Sequence, residues 1–435
     1  MSEHIPAPAP RRTPPLAGRP SPALTQRQSP WLRLAAALTY RDFRVLWLGA
    51  FVSTVGTWTQ KVAQSWLVLT IAGPASAFYL GLDSFLGELP ILLFTLIGGV
   101  IADRYDRRHL LIASQLVQMT TAFTLAALVY AGQIQIWHVL TLSVIAGIAQ
   151  AFGGPAHQSL LPTLVGKEHL PNAIAFNSIQ FNLARVIGPL IAGQTLAAFG
   201  MVACFGINGL SYVAVIVALA SLRIKHIPSL APKDMSAELK GGLVHVRDNP
   251  ALVGLAILGF CGTFLGSPLL TFLPLFARNV FAGGVTEYTH MMAFAGAGAV
   301  TGALVVAWLG KFRYMGRALL TIQIVFGLLL VTFASTRILL LNDLLLFAAG
   351  ACMVMLFAML SSLVQLNAPD AMRGRVMSIY MVAFRGGMPL GSLAGGWIAT
   401  YAGAPAVLTV NGLLLTAVAA WFLLWNPGGH GVREL

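Results

Sequence analysis

Five charged side chains lie deep within long apolar stretches of this sequence, away from the ends of those stretches. They are Lys61, Asp83, Glu88, Arg185 and Arg385. An Arg at the centre of a membrane-spanning helix costs about 2.5–3.5 kcal/mol on insertion scales, so each of these groups is expected to face protein, water or a partner charge. Carboxylates and cations in that setting can exchange a proton or hold an anion. The sequence therefore predicts a polar pathway through an apolar protein.

The rest of the sequence indicates no catalytic chemistry. No nucleophile elbow, Walker loop, zinc-binding His pair or Cys cluster is present, and each of these would be recognised by its spacing. We therefore predict no catalytic residue, no metal site, no cofactor and no enzymatic activity. Without a Walker loop in this chain, ATP is not expected to be the energy source.

The elements that must position these charges are membrane-spanning helices. Hydrophobic residues make up 57% of the chain, charged residues only 9%, and the mean hydropathy is +0.78. Lipid offers no hydrogen-bond partner to the backbone, and continuous apolar runs without two-residue alternation favour helices over a barrel. Twelve spans are predicted, at 44–72, 78–102, 109–131, 136–156, 175–199, 202–222, 251–277, 288–310, 315–336, 341–365, 375–401 and 405–425.

The basic residues between these spans fall mainly on one side of the membrane. Of 27 Lys and Arg residues, 22 lie in the terminal segments or in alternate loops that share their side, and only Arg278 and Arg337 lie in loops on the other. The positive-inside rule then places both termini and the 223–250 loop in the cytoplasm. The net charge of +13 is thus explained by membrane topology, and no nucleic acid partner is expected.

Composition divides the chain into five parts. We predict a disordered, Pro- and Arg-rich cytoplasmic N-terminus at 1–40, six-helix bundles at 41–222 and 251–426, a cytoplasmic linker at 223–250 and a cytoplasmic tail at 427–435. Residues 1–30 contain eight prolines and no apolar run, a composition typical of disorder.

The two bundles show a trace of internal repetition. Segments 178–190 and 378–390 share five of thirteen positions, and the match aligns Arg185 with Arg385. The fifth helix of each half is thereby brought into correspondence. Repeated halves are common in secondary transporters, where the substrate site lies between them near the middle of the membrane.

Several motifs resemble those of the major facilitator superfamily. The stretch 98–108, Gly-Gly-Val-Ile-Ala-Asp-Arg-Tyr-Asp-Arg-Arg, resembles its loop signature, and 185–193 resembles its Gly-Pro exporter motif. Segments 52–63, 88–90 and 155–165 are similar to the enterobactin exporter branch, which includes drug and macrolide efflux proteins. The resemblance, over residues 40 to 425, implies an all-α polytopic membrane protein with twelve transmembrane helices in two pseudo-symmetric six-helix bundles.

The loop signature implies a gate. By this resemblance Gly99, Asp103, Arg104 and Arg108 latch the cytoplasmic side while the cavity faces outward, with Asp103 directed at the start of the eleventh helix near 376–378. A carboxylate at a helix N-terminus is favoured by the helix dipole. Alternatively, the arginines only anchor the topology.

The charges within the spans have two interpretations. In the functional one, an acid and an Arg exchange partners as a proton or an anionic cargo arrives, and because the second and eleventh helices adjoin in the family, Arg385 is expected to pair with Glu88 or Asp83. Lys61 lies between Trp58 and Trp66, which offer a surface for an aromatic cargo or face lipid.

In the structural interpretation, Arg185 and Arg385 bond to backbone carbonyls that prolines four residues later leave free. Small residues in the same helices predict close helix packing. The positions expected to serve helix packing and bending are Gly188, Pro189, Gly193, Gly387, Pro389, Gly391 and Gly395.

Together these observations predict a monomeric, proton-coupled exporter of a small amphipathic or anionic organic molecule, siderophore-like or drug-like, in the bacterial cytoplasmic membrane. Its expected partners are the cargo, protons and the lipid bilayer. Two alternatives stay open: an importer of a small organic solute on the same fold, and a transport-inactive membrane receptor or assembly factor.

Overall fold

The computed structural model describes residues 35–222, 243–310, 312–369, 372–424 and 432, without the side chains of Ala35 and Asp103. The predictions for residues 1–34, for most of the linker and for nearly all of the tail lie outside the described residues. Within the predicted N-terminal extension, Ala35–Thr39 forms a short 3-10 helix whose Ala37 is fully buried.

The described chain is helical throughout its predicted spans. The helices are α1 (Arg41–Ile71), α2 (Ser76–Arg104), α3 (Arg107–Tyr130), α4 (Ile136–Leu160), α5 (170–199), α6 (201–220), α7 (Pro250–Val280), α8 (Val285–Leu309), α9 (Met315–Ser335), α10 (Leu339–Asn367), α11 (Arg373–Ala402) and α12 (Ala404–Leu424).

Single glycines connect the last two helices of each half. The helical segment Leu170–Ala220 is divided at Gly200, whose φ of 76° is not helical, and α11 is separated from α12 by Gly403, with φ 82°. A positive φ is readily adopted by glycine because it has no Cβ. The chain therefore turns from α5 into α6, and from α11 into α12, without a loop.

Among the described residues, nine segments are long and apolar enough to span a membrane. One of them, Lys167–Ala220, contains both α5 and α6. The helices α1 and α11 have the required length but carry polar residues that lower their mean hydropathy. With these two, the predicted all-α polytopic fold of twelve helices is confirmed.

The helices form two six-helix bundles. We call the side on which α1 begins and α12 ends the terminal side, and the other the opposite side. Helices α1–α6 pack together, α7–α12 pack together, and the two bundles meet mainly where α2 contacts α11 and α5 contacts α8.

The apolar core is joined on one side only. One buried cluster runs through the second bundle and includes opposite-side residues of the first, such as Leu69 and Leu80, whereas a separate cluster around Phe43 and Leu161 fills the terminal-side half of the first bundle. The bundles therefore share a core near the opposite side and separate towards the terminal side.

Candidate functional site

A large cavity lies between the two bundles. Its volume is about 1740 Å³, and its wall extends from Leu80 and Tyr288 at depth to Arg104 and Arg375 at the terminal ends of α2 and α11. Pockets for drug-sized ligands occupy about 300–1,000 Å³. The cavity is thus large enough for a small organic molecule with its water and opens on the terminal side.

Contacts between the bundles close the cavity on the opposite side. The rings of Trp66 and Tyr288 stack with centroids 6.1 Å apart and an interplanar angle of 17°. Arg278 Nη1 donates a hydrogen bond of 3.1 Å to the Leu69 carbonyl. A Cβ on Gly81 would overlap the Ser392 carbonyl, so α2 and α11 approach backbone to backbone at this level. These contacts between described residues separate the cavity from the opposite side.

Asp83 lies in the cavity wall in a set of neutral hydrogen-bond donors. Gln64 Nε2 donates to both Asp83 carboxylate oxygens, at 3.0 and 2.9 Å, and Ser143 Oγ donates at 2.5 Å. Gln64 lies on α1, Asp83 on α2 and Ser143 on α4. Among the described residues the carboxylate thus connects three helices of the first bundle without an ion pair of 4.0 Å or less. Its two donor residues, 19 and 60 positions away in the chain, were not predicted.

Two predicted cations flank one indole ring in the first bundle. Lys61 Nζ lies 5.2 Å and Arg185 Cζ 5.6 Å from the ring centroid of Trp58, which also packs edge-on against Phe181. All four side chains line the cavity. Distances within about 6 Å allow cation–π attraction. Among the described residues neither cation has a hydrogen bond or an ion pair, so we expect their N–H groups to be open to an anion in the cavity.

The expected pairing of Arg385 with an acid on α2 is not formed. Arg385 is exposed to the cavity from α11, and Glu88 lies half-buried in the facing wall. Within the described part of the chain, no ion pair of 4.0 Å or less joins Arg385 to Glu88 or Asp83. The cavity separates these charges, so the pairing stays a prediction for a state in which the walls approach.

The expected bonds between the arginine side chains and the proline-freed carbonyls are not formed among the described residues. Neither the Arg185 nor the Arg385 guanidinium donates to a carbonyl among the described residues. The Arg185 carbonyl faces Gly296 of α8, where a Cβ would lie 2.8 Å from the oxygen. The structural interpretation therefore applies to the backbone near these residues and not to their charged groups.

The carbonyl just before each proline accepts a hydroxyl from the first helix of its own bundle. Thr59 of α1 donates to the Gly188 carbonyl at 3.1 Å, and Ser267 of α7 donates to the Met388 carbonyl at 3.2 Å. Pro189 and Pro389 follow these carbonyls directly. The two halves thus bend and support α5 and α11 in the same way, which accords with the weak sequence repeat.

The glycines of α11 pack on two different helices. Gly387, Gly391 and Gly395 lie against α7 of the same bundle, whereas Gly396 faces Ala77 of α2 in the other bundle. In α5, Gly188 lies against Trp58 of α1, and Gly193 approaches Thr289 of α8 across the bundle interface. Most of the predicted packing glycines therefore hold each bundle together, and Gly193 lies between bundles.

The predicted gate residues lie at the terminal end of α2 and the start of α3. Gly99 and the exposed Arg104 line the cavity mouth. Asp103 belongs to α2, and its side chain lies outside the described part of the structure. The Arg108 guanidinium donates to the carbonyls of Ala220 and Leu222, at 2.5 and 3.2 Å. Arg108 thereby caps the C-terminal end of α6, a favourable position for a cation.

Sequence reasoning missed the amide groups of the cavity wall. The described lining residues of α1–α6 include nine amide side chains, whereas those of α7–α12 contribute hydroxyl groups and arginines but no amide. The amides are Gln60, Gln64, Gln115, Gln118, Gln150, Gln158, Asn177, Gln180 and Asn208. The sequence signal for them was that amides recur within the apolar spans. An unpaired amide facing lipid is costly, so such residues are expected to face a polar cavity. The two walls therefore differ in polarity.

Comparison with known proteins agrees with this geometry. The profile of a family described as transmembrane secretion effector matches residues 32–426. The staphyloferrin A transporter of Staphylococcus aureus is 27% identical over 87% of this chain and 94% of its own. The multidrug efflux pump Tap of Mycolicibacterium fortuitum is 27% identical over 86% and 93%, and the enterobactin exporter EntS of Citrobacter koseri 25% over 92% and 95%.

Solved structures share the fold. A bacterial homologue of the human lysosomal transporter Spinster, crystallised in an inward-facing and unoccupied conformation, superposes with a TM-score of 0.70 at 13% identity and covers 90% of this chain and 99% of its own. At this level of identity the likeness concerns the arrangement of helices only. The expected superfamily and branch are confirmed.

Proposed function

Since the chain belongs to the transmembrane secretion effector family, a membrane transporter family of the major facilitator superfamily, we propose that it exports a small amphipathic or anionic organic molecule in exchange for protons. The observation that carries the proposal is the cavity of about 1740 Å³ between the bundles, open on the terminal side and closed on the opposite side. Alternating access requires a central site that one closure at a time separates from each side of the membrane.

The charge distribution supports an orientation. Arg104 ends α2, Arg107 and Arg108 begin α3, and Arg373 and Arg375 lie in the first turn of α11, all on the terminal side. The positive-inside rule then makes that side cytoplasmic, in a bacterial inner membrane with both termini inside. In this orientation the open cavity faces the cytoplasm, which is the state in which an exporter takes up its cargo.

The cavity wall favours an anionic cargo with an aromatic group. Lys61 and Arg185 flank the Trp58 ring, and Arg385 is exposed on the facing wall. Arginine binds carboxylates through paired N–H groups, and an indole face beside them offers stacking. Because the relatives include transporters named for the siderophores staphyloferrin A and enterobactin, a siderophore-like acid fits; the similarity to a multidrug efflux pump keeps a drug-like cargo in view.

Proton coupling and gating complete the proposal. Asp83 and Glu88 are the carboxylates of the cavity wall, and either can take up the exchanged proton. When the cavity faces outward, Asp103 and Arg104 are proposed to contact the start of α11 and close the cytoplasmic side. The units that move are the bundles at 41–222 and 251–426, within a single monomer.

Transport in membrane vesicles tests the function. Inverted vesicles containing the protein should accumulate a fluorescent catechol carboxylate when their lumen is made more acidic than the medium. Vesicles without the protein should not. Substituting both Arg185 and Arg385 by Gln should reduce uptake of this probe. Equal uptake after a protonophore collapses the gradient would exclude proton exchange, and uptake only into right-side-out vesicles would favour the importer.

The same experiment distinguishes a transporter from a protein that only binds its ligand. A receptor or assembly factor would bind the catechol carboxylate in detergent but move none of it in either type of vesicle. The polar cavity between two bundles that share only part of their core supports transport over this alternative.

A further inference from the structure

We infer that Asp83, rather than Glu88, binds the exchanged proton, and that a chain of side-chain amides conveys its protonation from α2 to α6. The inference rests on the proposed proton-coupled function and names the residues that would perform the coupling. It follows from the hydrogen bonds around Asp83 and from their direction.

The first step is the setting of the Asp83 carboxylate. Gln64 and Ser143 donate three hydrogen bonds to it, and within the described residues no Lys or Arg nitrogen lies within 4.0 Å. Protonation therefore breaks no ion pair and rearranges only neutral donors. A carboxyl group held in this way can load and unload a proton without stranding a buried cation.

The charged groups around this site come from several helices. Lys61 lies on α1 one turn before Gln64, Glu88 lies further along α2, and Arg385 projects from α11 into the same cavity. On α4, the donor to Asp83 is the neutral Ser143. The second bundle contributes Arg278 of α7 on the opposite side. Its guanidinium donates a hydrogen bond to the Leu69 carbonyl.

The second step is the direction of the amide chain. Asn208 Nδ2 donates to Gln60 Oε1 at 2.6 Å, Gln60 Nε2 donates to Gln64 Oε1 at 3.5 Å, and Gln64 Nε2 donates to Asp83. Every donor points towards the carboxylate, which as an anion only accepts. The negative charge of Asp83 thus fixes the orientation of each amide as far as α6.

Protonation reverses the first link. The Asp83 carboxyl then has one O–H to donate. Ser143 Oγ already lies within hydrogen-bond distance, whereas Gln64 presents its Nε2 and must turn its amide to offer Oε1. If Gln64 turns its carbonyl oxygen to Asp83, that oxygen no longer accepts from Gln60, and the bond between Gln60 and Gln64 is lost or reversed. Because bonds in a chain polarise one another, the change reaches Asn208.

The far end of the chain lies at a tight helix contact. A Cβ on Gly56 of α1 would lie 2.8 Å from Asn208 Oδ1 on α6, and Ser211 Oγ donates to the same Oδ1 at 3.2 Å. A reoriented Asn208 amide therefore alters the contact between α1 and α6. Proton binding near the closed end of the cavity is thereby linked to the packing of the bundle that must move.

Glu88 lacks this arrangement. It lies half-buried in the cavity wall, and within the described part of the chain it has no hydrogen bond and no ion pair. Its protonation would change the charge of the cavity without reorienting any side chain that ties two helices together. This difference separates the two carboxylates.

Infrared difference titration of the protein in lipid nanodiscs tests proton binding without any cargo. The wild type should show a protonated-carboxyl band that grows as pH falls, Asp83→Asn should remove that band, and Glu88→Gln should keep it. Loss of the band in Glu88→Gln with retention in Asp83→Asn would overturn the inference. If Asp83→Asn does not fold, Ser143→Ala serves instead, and it should shift the midpoint of the band.

The amide chain has its own readout. Gln60→Leu should shift the pH midpoint of the Asp83 band. Gln158→Leu should not, because Gln158 is an exposed amide of the cavity wall that does not belong to the hydrogen-bonded series of amides. Equal midpoints in both variants would contradict the relay. These titrations measure proton binding and do not depend on transport. An absence of gradient-driven transport in vesicles would contradict the proposed function but not the assignment of the proton to Asp83.

Transport assays on the Asp83→Asn variant should separate proton coupling from cargo movement. In proteoliposomes, Asp83→Asn should exchange the catechol carboxylate across the membrane at equal pH but should lose accumulation driven by a proton gradient. The surface variant Glu168→Gln should retain both. Gradient-driven accumulation that survives in Asp83→Asn would also overturn the inference.

Discussion

Arg278 of α7 donates a hydrogen bond to the backbone carbonyl of Leu69 in α1, with 3.1 Å between Nη1 and the oxygen. The bond lies beside the stacked rings of Trp66 and Tyr288 and joins the two bundles on the side where the cavity is closed. A donor with a charge makes this a stronger tie than a neutral hydrogen bond.

Removing this tie should favour opening on the opposite side. A hydrogen bond from a charged group contributes about 1.5–3 kcal/mol, so Arg278→Met should shift the equilibrium towards the state open on the opposite side by about tenfold or more. Spin labels on the α1–α2 and α7–α8 turns should report a longer distance. Arg337→Met is the matched control, since Arg337 is exposed on the same side and donates no hydrogen bond to α1 among the described residues. Equal distances in both variants would contradict the gate.

Trp58 is expected to support anion binding through Lys61 and Arg185. Each cation–π contact contributes about 0.5–2 kcal/mol, so Trp58→Leu should weaken binding of the catechol carboxylate several-fold, and Trp58→Phe should weaken it less. Calorimetry on the purified protein measures the change. Trp421→Leu, at a lipid-facing position of α12 that is 53% exposed, should leave binding unaltered, and a matching loss there would point to a general defect.

Two glycines of α2 should respond differently to the same added methyl group. Gly81→Ala would press a Cβ onto the Ser392 carbonyl of α11, whereas Gly87→Ala meets no atom within 4 Å. Overpacking costs about 1–3 kcal/mol, so Gly81→Ala should destabilise closure on the opposite side and lengthen the spin-label distance there. Gly87→Ala should behave as the wild type; a shift of similar size in both variants would contradict the contact between α2 and α11.

Neighbouring arginines at the end of α2 should separate stability from gating. Arg108 caps α6 through the carbonyls of Ala220 and Leu222, so Arg108→Gln should lower thermal stability by about 0.3–2 kcal/mol. Arg104→Gln, at the exposed cavity mouth, should keep stability and instead shift the balance between open and closed states. Thermal unfolding and spin-label distances on the terminal side measure both; the reverse assignment would make Arg108 part of the latch.

The helices were predictable because lipid restricts what the backbone can do. An apolar run long enough to cross the bilayer must be helical, so the twelve spans followed from hydropathy even where α1 and α11 carry charges. The turn at Gly200 was also visible as a break between the fifth and sixth spans. These features depend on local sequence and on the solvent.

The side-chain partners were harder to predict because they depend on helix rotation. Successive residues of a helix point about 100° apart, so a small rotation decides whether Arg385 meets Glu88 or faces the cavity. The glycines of α11 illustrate this: Gly395 contacts α7, while Gly396, the next residue, contacts α2. Spacing predicted a small-residue surface but not which neighbour would use it.

The partners of Asp83 were missed for a different reason. The sequence predicts partners for an acid from charges of opposite sign, and Gln64 and Ser143 are neutral. A buried polar group needs a partner, but a carboxylate accepts equally well from an amide or a hydroxyl. Reading the amides inside apolar spans together with the acids would have directed attention to the first bundle.

Gly200 and Gly403 leave no slack in the chain where α5 passes into α6 and α11 into α12. Helices α5 and α11 both contact the other bundle. Each is therefore rigidly connected to the next helix of its own half, α6 or α12. A displacement at the interface is transmitted by backbone geometry rather than absorbed by a flexible hinge. In the proposed transport cycle we therefore expect each half to tilt as one rigid body, so that closing one membrane face opens the other.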